Sequence, residues 1–262
     1  MEFLFSLTAI LGLTVGSFLN VVIHRVPRGL SVIAPGSQCP ACERPIRARH
    51  NIPVLSWIVL AGKCAGCGVR ISCRYPLVEL TTGVVFVVLT LRMNDLHLLS
   101  ALPAYLYFAA AGIALFLIDV DFHRLPSAIV LPSYPVVAVL LTVSSAWRDD
   151  WWSLARAGAG AAALLGFYLL VRCVHPAGMG LGDVRLAGVL GALLAYLSWP
   201  ALVIGAFGGF LLGAVAGVIT LAGGRGSRKT ALPFGPFMVT AAFLALLVAQ
   251  PIARAYLDLL AT

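Results

Sequence analysis

The chain has 262 residues, of which 61% are hydrophobic and 11% charged, and its mean hydropathy is +0.99. Soluble domains carry about 25% charged residues, and several apolar runs here reach about 20 residues, the length that crosses a bilayer as a helix. The composition therefore excludes a soluble domain and predicts an all-α polytopic membrane protein. The net charge of +8 does not indicate nucleic-acid binding, because the basic residues lie in loops between apolar runs.

Eight apolar runs predict about eight transmembrane helices. The first has Glu2 before it and Arg25 and Arg28 after it, the reverse charge order of a secretory signal peptide. We therefore expect it to be retained as a helix with its N-terminus outside. The sixth and seventh runs are separated only by Ser198 to Pro200, so their boundary is the least sharply defined of the set. The runs lie near 3–23, 77–93, 98–118, 128–146, 152–173, 184–198, 201–222 and 234–250.

The distribution of basic residues supports this orientation. With the N-terminus outside, the inner loops and helix ends hold fourteen of the eighteen Lys and Arg residues, as the positive-inside rule requires. The aromatic stretch at 147–152 fits an outer interface. The sequence therefore predicts three parts: a first transmembrane helix at 1–23, a cytoplasmic module at 24–76, and a transmembrane core at 77–262.

The cytoplasmic module contains two C-x-x-C pairs, Cys39 with Cys42 and Cys64 with Cys67. Their spacing is typical of a four-thiolate zinc site, and in a module this poor in apolar residues metal ligation would supply much of the folding energy. Paired disulfides and a redox C-x-x-C are the alternatives, but the cytoplasm keeps thiols reduced and no βαβ pattern surrounds either pair. Four thiolates leave no open position for water, so we expect a structural zinc.

Two aspartates lie where predicted inner loops meet transmembrane helices. Asp119 ends one apolar run and Asp183 opens another, so both carboxylates lie at one membrane depth. Such a pair can perform acid–base hydrolysis, in which one carboxylate deprotonates water and the other protonates the scissile carbonyl oxygen. The alternative for Asp183 is a helix cap. Glycines at 178, 180 and 182 remove side chains from the approach to Asp183 and favour the catalytic interpretation.

The helix ends suggest how the pair shares a proton. The positive end of the helix dipole favours a carboxylate at Asp183, and the negative end disfavours one at Asp119. We therefore expect Asp119 to hold the proton, within a pair that titrates as a unit. Glu79, near the inner end of the second helix, is predicted to pair with a neighbouring arginine.

The chain resembles the bacterial type IV prepilin leader peptidases, members of the GxGD class of intramembrane aspartic proteases. The segments that carry the resemblance run in order from residue 16 to about 237. They are "GSFLNVVIHRVP" (16–27), "CPAC" (39–42), "NIPVLSW" (51–57), "CAGC" (64–67), "RYPLVELTTG" (74–83), "IDVDFHRLP" (118–126), "GMGLGD" (178–183) and "PFGPF" (233–237).

The resemblance implies a multi-pass enzyme of the bacterial cytoplasmic (inner) membrane with its active site at the cytoplasmic face. Such enzymes remove the short basic leader of prepilins and pseudopilins after a glycine, ahead of the substrate's apolar N-terminal helix. Many then methylate the new N-terminal residue, usually Phe, with S-adenosylmethionine. By motif position, Asp119 and Asp183 are the catalytic aspartates. The zinc-binding cysteines of the family correspond to Cys39, Cys42, Cys64 and Cys67. The resemblance assigns no residues to the methyl donor.

The chain departs from the family pattern at Ala61, Ser127 and Arg185, none of which is a proposed catalytic or metal-binding residue. Two other functions stay open. One is a prepilin peptidase that lacks methyl transfer, and the other is a transporter that uses Asp119 and Asp183 as ion or proton sites.

Overall fold

The structure is a computed structural model, and it describes residues 1–39, 41–223 and 233–260. These residues form nine α-helices joined by loops and short 3-10 turns, and no β-strand is present among them. The helices are α1 (Glu2–Arg25), α2 (Leu55–Val59), α3 (Arg74–Asp95), α4 (Leu102–Phe122), α5 (Ser127–Arg148), α6 (Trp151–Val174), α7 (Leu181–Leu197), α8 (Trp199–Ala222) and α9 (Gly235–Leu260).

The eight long helices correspond to the eight apolar runs of the sequence, and the all-α polytopic fold is confirmed. Seven of them are long and apolar enough to cross a membrane. The exception is α7, which has 17 residues and is buried along most of its length. In contrast, α8 leaves large apolar side chains exposed, among them Phe207 and Leu211, as expected of a helix in contact with lipid.

The chain divides into two compact units, Met1–Leu102 and Pro103–Thr262. In the first unit, α1 packs closely against α3 through glycines one turn apart. A Cβ atom on Gly12 would lie 2.7 Å from the Cα of Gly83, and one on Gly16 would lie 2.7 Å from the Cα of Glu79. These two glycines form a G-x-x-x-G motif, which lets membrane helices approach at backbone distance.

In the second unit, α7 lies among several other helices. Gly160 of α6 and Gly191 of α7 leave no room for a side chain between the two backbones. The hydroxyl of Tyr105 donates to the carbonyl of Leu193, 2.9 Å away. Arg156 donates to carbonyls in the last turn of α7, including that of Tyr196 at 2.7 Å, and so satisfies groups that a helix end leaves without partners. These contacts fix the helix that carries Asp183.

Candidate active site and metal centre

Asp119 lies in the last turn of α4 and is buried, with 4% of its surface exposed. Its Oδ2 accepts the backbone N–H of Gly235 at 3.1 Å. Gly235 is the first residue of α9, so this N–H is one of the donors that the start of a helix leaves free. A Cβ atom on Gly235 would lie 2.8 Å from the same carboxylate oxygen, which explains why a glycine is needed here.

Asp183 is the third residue of α7 and is partly exposed. Its Oδ2 accepts the backbone N–H of Gly180 at 3.0 Å, across the turn that begins the helix. The carboxylate therefore does cap the helix, as the alternative interpretation held, but this contact occupies only one of its two oxygens. A Cβ on Gly180 would lie 2.8 Å from that oxygen, so here too a glycine admits the aspartate.

The structure brings the two aspartates together, close enough for the charge on Asp119 to act on Asp183. Leu125, in the loop after α4, packs between the segments that hold them. A Cβ on Gly182 would lie 2.8 Å from the Cβ of Leu125, and one on Gly235 would lie 3.0 Å from its Cδ2. Leu125 therefore separates the first turn of α7 from the start of α9. Both glycines must lack a side chain for this arrangement.

Further hydrogen bonds hold the segments around Asp183. Arg172 donates to the carbonyl of Met179 at 2.6 Å, and the hydroxyl of Tyr134 donates to the carbonyl of Arg185 at 2.6 Å. The Arg185 guanidinium donates to the hydroxyl of Ser127 at 2.6 Å. The last contact joins two of the positions at which the chain departs from the family pattern. The two departures, Ser127 and Arg185, are therefore hydrogen-bonded to each other in the structure.

A group of aromatic side chains lies on the α6, α8 and α9 side of Asp183. The ring centroids of Tyr168 and Phe210 are 5.4 Å apart, and those of Phe210 and Phe234 are 5.3 Å apart. Phe167 stacks edge-on against Phe210 at 6.0 Å, and Tyr168 is within electrostatic range of Asp183. The sequence does not reveal this group, because its members come from α6, α8 and the residue just before α9.

The four cysteines of the two C-x-x-C pairs converge in the first unit. Their Sγ atoms all lie within 4.8 Å of one another, and those of Cys39 and Cys67 are 3.8 Å apart. A tetrahedral zinc with Zn–S bonds of about 2.3 Å requires S···S distances of about 3.8 Å. The cluster could therefore hold one metal ion, and all four cysteines are free of disulfides.

The two cysteine pairs share one backbone hydrogen bond, repeated 25 residues apart. Glu43 donates its N–H to the carbonyl of Cys39, and Gly68 donates its N–H to that of Cys64, both at 2.9 Å. Both donors have positive φ, 55° for Glu43 and 72° for Gly68. The sequence shows the paired cysteines but not this turn, because Glu43 is not a residue that ordinarily signals positive φ.

The backbone around Cys64 also favours a thiolate. Hydrogen bonds from the N–H groups of Cys67 and Gly66 lower the pKa of the Cys64 thiol to about 6. The Gly66 N–H lies 3.3 Å from the sulfur. Because metals bind the thiolate and not the thiol, this turn prepares Cys64 as a ligand.

The fold and the site define a class: a helical membrane protein with two interacting carboxylates at helix ends and a separate four-cysteine centre. The chain belongs to the type IV leader peptidase family. Residues 10–93 match the bacterial peptidase A24 N-terminal domain, and residues 106–218 match the type IV leader peptidase family itself.

Curated relatives resemble the chain over most of its length. It is 34% identical to a prepilin leader peptidase/N-methyltransferase of Stutzerimonas stutzeri, over 95% of this chain and 92% of that protein. Proteins of the same name from Pseudomonas aeruginosa and Bacillus subtilis are 34% and 32% identical, over 96% and 97% of this chain and 92% and 98% of theirs. The comparison with solved structures found no match.

Proposed function

We propose that this protein is a prepilin peptidase and N-methyltransferase. Its peptidase half removes the short basic leader of type IV prepilins or pseudopilins after a glycine. Its relatives carry both activities in their names. The observation that best supports the peptidase half is the aspartate pair, in which Asp119 and Asp183 each accept one glycine N–H through a single oxygen.

Hydrolysis at this pair needs no covalent intermediate. A water molecule between the two carboxylates is deprotonated by the ionised one, while the protonated one donates to the oxygen of the scissile carbonyl. The glycine N–H groups keep one oxygen of each aspartate fixed, so the other oxygens are free to face water and substrate. The two aspartates share one proton, because like charges this close do not both ionise readily.

The substrate meets this site at the boundary between the membrane and the cytoplasm. The orientation predicted from the basic loops puts Asp119 and Asp183 at the inner face of the bacterial cytoplasmic membrane. The aromatic group around Tyr168 and Phe210 offers an apolar surface beside Asp183 for the hydrophobic residues that follow the cleaved bond. The basic leader itself approaches a basic protein, so contacts with its apolar helix supply most of the binding.

The four cysteines would hold a structural zinc, since their sulfur distances fit a tetrahedral tetrathiolate site. The zinc would hold the two cysteine pairs together and so shape the first unit. The methyl-transfer half needs a methyl donor, which we propose to be S-adenosylmethionine.

Co-expression with a prepilin that carries a Gly-Phe junction tests both halves. Mass spectrometry of the wild-type product is expected to show loss of the leader and one added methyl group on the new N-terminus. Asp119→Asn and Asp183→Asn are each expected to abolish cleavage while the protein still inserts into the membrane. Loss of cleavage in both variants would exclude the transporter, and full cleavage by both would contradict the aspartate mechanism. Complete cleavage without methylation by the wild type would indicate a prepilin peptidase that lacks methyltransferase activity.

A further inference from the structure

Arg172 lies in the last turn of α6, next to the loop that leads into α7. Basic side chains near a helix C-terminus can satisfy the last carbonyls of their own helix. The Nη1 of Arg172 instead donates to the carbonyl of Met179, in the loop, at 2.6 Å. The side chain is partly buried, so this contact is a charge-assisted hydrogen bond with limited competition from water.

The loop between α6 and α7 folds back onto the end of α6. His175 donates its N–H to the carbonyl of Val171 at 2.8 Å, and Gly178 donates its N–H to that of His175 at 3.0 Å. A side chain on Gly178 would collide with the His175 ring, and Met179 is buried, with 7% of its surface exposed. The carbonyl that Arg172 contacts therefore belongs to packed backbone.

The Met179 carbonyl and the Gly180 N–H are the two polar ends of one peptide group. A trans peptide is planar, and its C=O and N–H point in opposite directions. Arg172 holds the carbonyl end, and the Oδ2 of Asp183 accepts the N–H end at 3.0 Å. The arginine therefore fixes the direction in which the N–H points. A cationic donor on the carbonyl also polarises the peptide group and strengthens the hydrogen bond from its N–H.

Several other polar and aromatic groups lie around the aspartate pair. They are Asp119 of α4, His123 just beyond it, Tyr168 of α6, Tyr134 and Ser127 of α5, Arg185 of α7, and the uncharged rings of Phe210 and Phe234 on the α8 and α9 side. The charge on Asp119 opposes ionisation of Asp183, while the hydrogen bond from the Gly180 N–H favours it. The orientation of that N–H therefore matters for the state of the pair.

We propose that Arg172 is a positioning residue of the peptidase reaction, which acts on Asp183 through the Met179–Gly180 peptide group. This inference rests on the proposed function, in which Asp119 and Asp183 activate water. The oriented N–H stabilises the ionised form of Asp183, because it donates to a carboxylate oxygen. It biases the shared proton toward Asp119 and leaves Asp183 as the base that deprotonates water.

Kinetics on the full-length protein in detergent test this role, with a prepilin that carries a Gly-Phe junction as substrate. Arg172→Gln and Arg172→Met both remove the charged donor, and the glutamine variant keeps a polar side chain in case the methionine variant does not fold. We expect kcat to fall about ten- to a hundredfold with little change in KM, because a catalytic group moves while the apolar contacts with substrate remain. Arg172→Lys keeps a charged donor and should restore most of the rate.

The pH profile distinguishes a positioning role from a merely structural one. A weaker hydrogen bond to the carboxylate makes Asp183 harder to ionise, so the acid limb of kcat should move about one unit toward higher pH in Arg172→Gln and Arg172→Met. Carbon-13 NMR of the aspartate carboxyl groups should show the same shift in the titration of Asp183, whose signal is assigned by its loss in Asp183→Asn. Arg172→Lys should restore both.

Arg28→Met is the matched control. The Nη1 of Arg28 also donates to a backbone carbonyl at 2.6 Å, that of His24, and it lies just after α1 in the other unit. The variant removes the same charge and should change neither the acid limb nor the Asp183 titration. An equal shift in Arg28→Met would overturn the proposal, because it would indicate a general effect of net charge.

Two further results would overturn the role of Arg172 while the proposed function stands. One is a wild-type acid limb and a wild-type Asp183 titration in a folded Arg172→Gln or Arg172→Met variant. The other is an Arg172→Lys variant as defective as these two. A wild type that does not cleave prepilin at all would instead overturn the proposed function, and this inference with it.

Discussion

The carboxylate of Asp119 and the backbone N–H of Gly235 are hydrogen-bonded at 3.1 Å, although 116 residues separate them in the chain. This contact ties the last turn of α4 to the first turn of α9. It gives the "PFGPF" segment a physical role, because the glycine in it admits a carboxylate oxygen where any side chain would collide.

Gly235→Ala is expected to lower prepilin cleavage about a hundredfold, the effect of moving a catalytic group by about 1 Å. The new methyl group would lie 2.8 Å from Asp119 Oδ2 and 3.0 Å from Leu125 Cδ2, so the carboxylate must shift. Initial rates of leader removal in detergent measure the effect.

Gly217→Ala is the matched control, since a Cβ atom there meets nothing within 4 Å. It also lies within a membrane helix, α8, and should retain wild-type cleavage. Equal rates for the two variants would show that the Gly235 contact does not position Asp119.

The sequence predicts the long helices well, because an apolar run of about 20 residues in a membrane must satisfy its own backbone hydrogen bonds and therefore forms a helix. It also places Asp119 at the end of one helix and Asp183 at the start of another, as found in α4 and α7. The partners Gly235 and Gly180 are harder to predict, because they act through backbone N–H groups. Val54, whose N–H donates to the carboxylate of Glu79, is harder still, since nothing in a valine signals positive φ.

The pairing of Arg185 with Ser127 predicts that the two departures from the family pattern are energetically coupled. Their contact, at 2.6 Å, joins the first residue of α5 to the first turn and a half of α7. Ser127→Ala and Arg185→Gln are each expected to destabilise the protein slightly. Because both side chains reach solvent, we expect a coupling of about 0.5–1 kcal/mol.

Thermal unfolding of the two single variants and the double variant in one detergent measures this coupling. The double variant should lose less stability than the sum of the single variants. Strict additivity would mean that the hydrogen bond contributes nothing in solution. The hydroxyl of Tyr134 donates to the backbone carbonyl of Arg185, and this acceptor is present in all the variants.

The G-x-x-x-G contact between α1 and α3 predicts a strong effect of side-chain volume at Gly16. Gly16→Val would drive a branched side chain into the Glu79 backbone, where even a Cβ atom would lie at 2.7 Å. We expect α1 to separate from α3, with a loss of about 1–3 kcal/mol from overpacking.

Gly36→Ala, in the same unit and with nothing within 4 Å of the new Cβ atom, is the control for this change. Cysteine crosslinking between α1 and α3 in membranes reports the separation directly. Unchanged crosslinking in Gly16→Val would contradict close glycine-mediated packing.

The four-cysteine cluster predicts one bound metal ion per chain and a first unit that depends on it. Zinc content measured by mass spectrometry is expected to be one equivalent in the wild type and to fall strongly in Cys39→Ser and Cys64→Ser. Cys173→Ser is the control, because this exposed cysteine belongs to α6 of the other unit.

A chelator should make residues 24–76 sensitive to protease in the wild type, since metal ligation contributes much of the folding energy of such modules. The transmembrane helices, whose stability comes from burial of apolar residues and helix packing, should stay resistant. Wild-type protein that contains no metal, or that keeps its protease resistance after chelation, would show that these thiols are not a structural metal site.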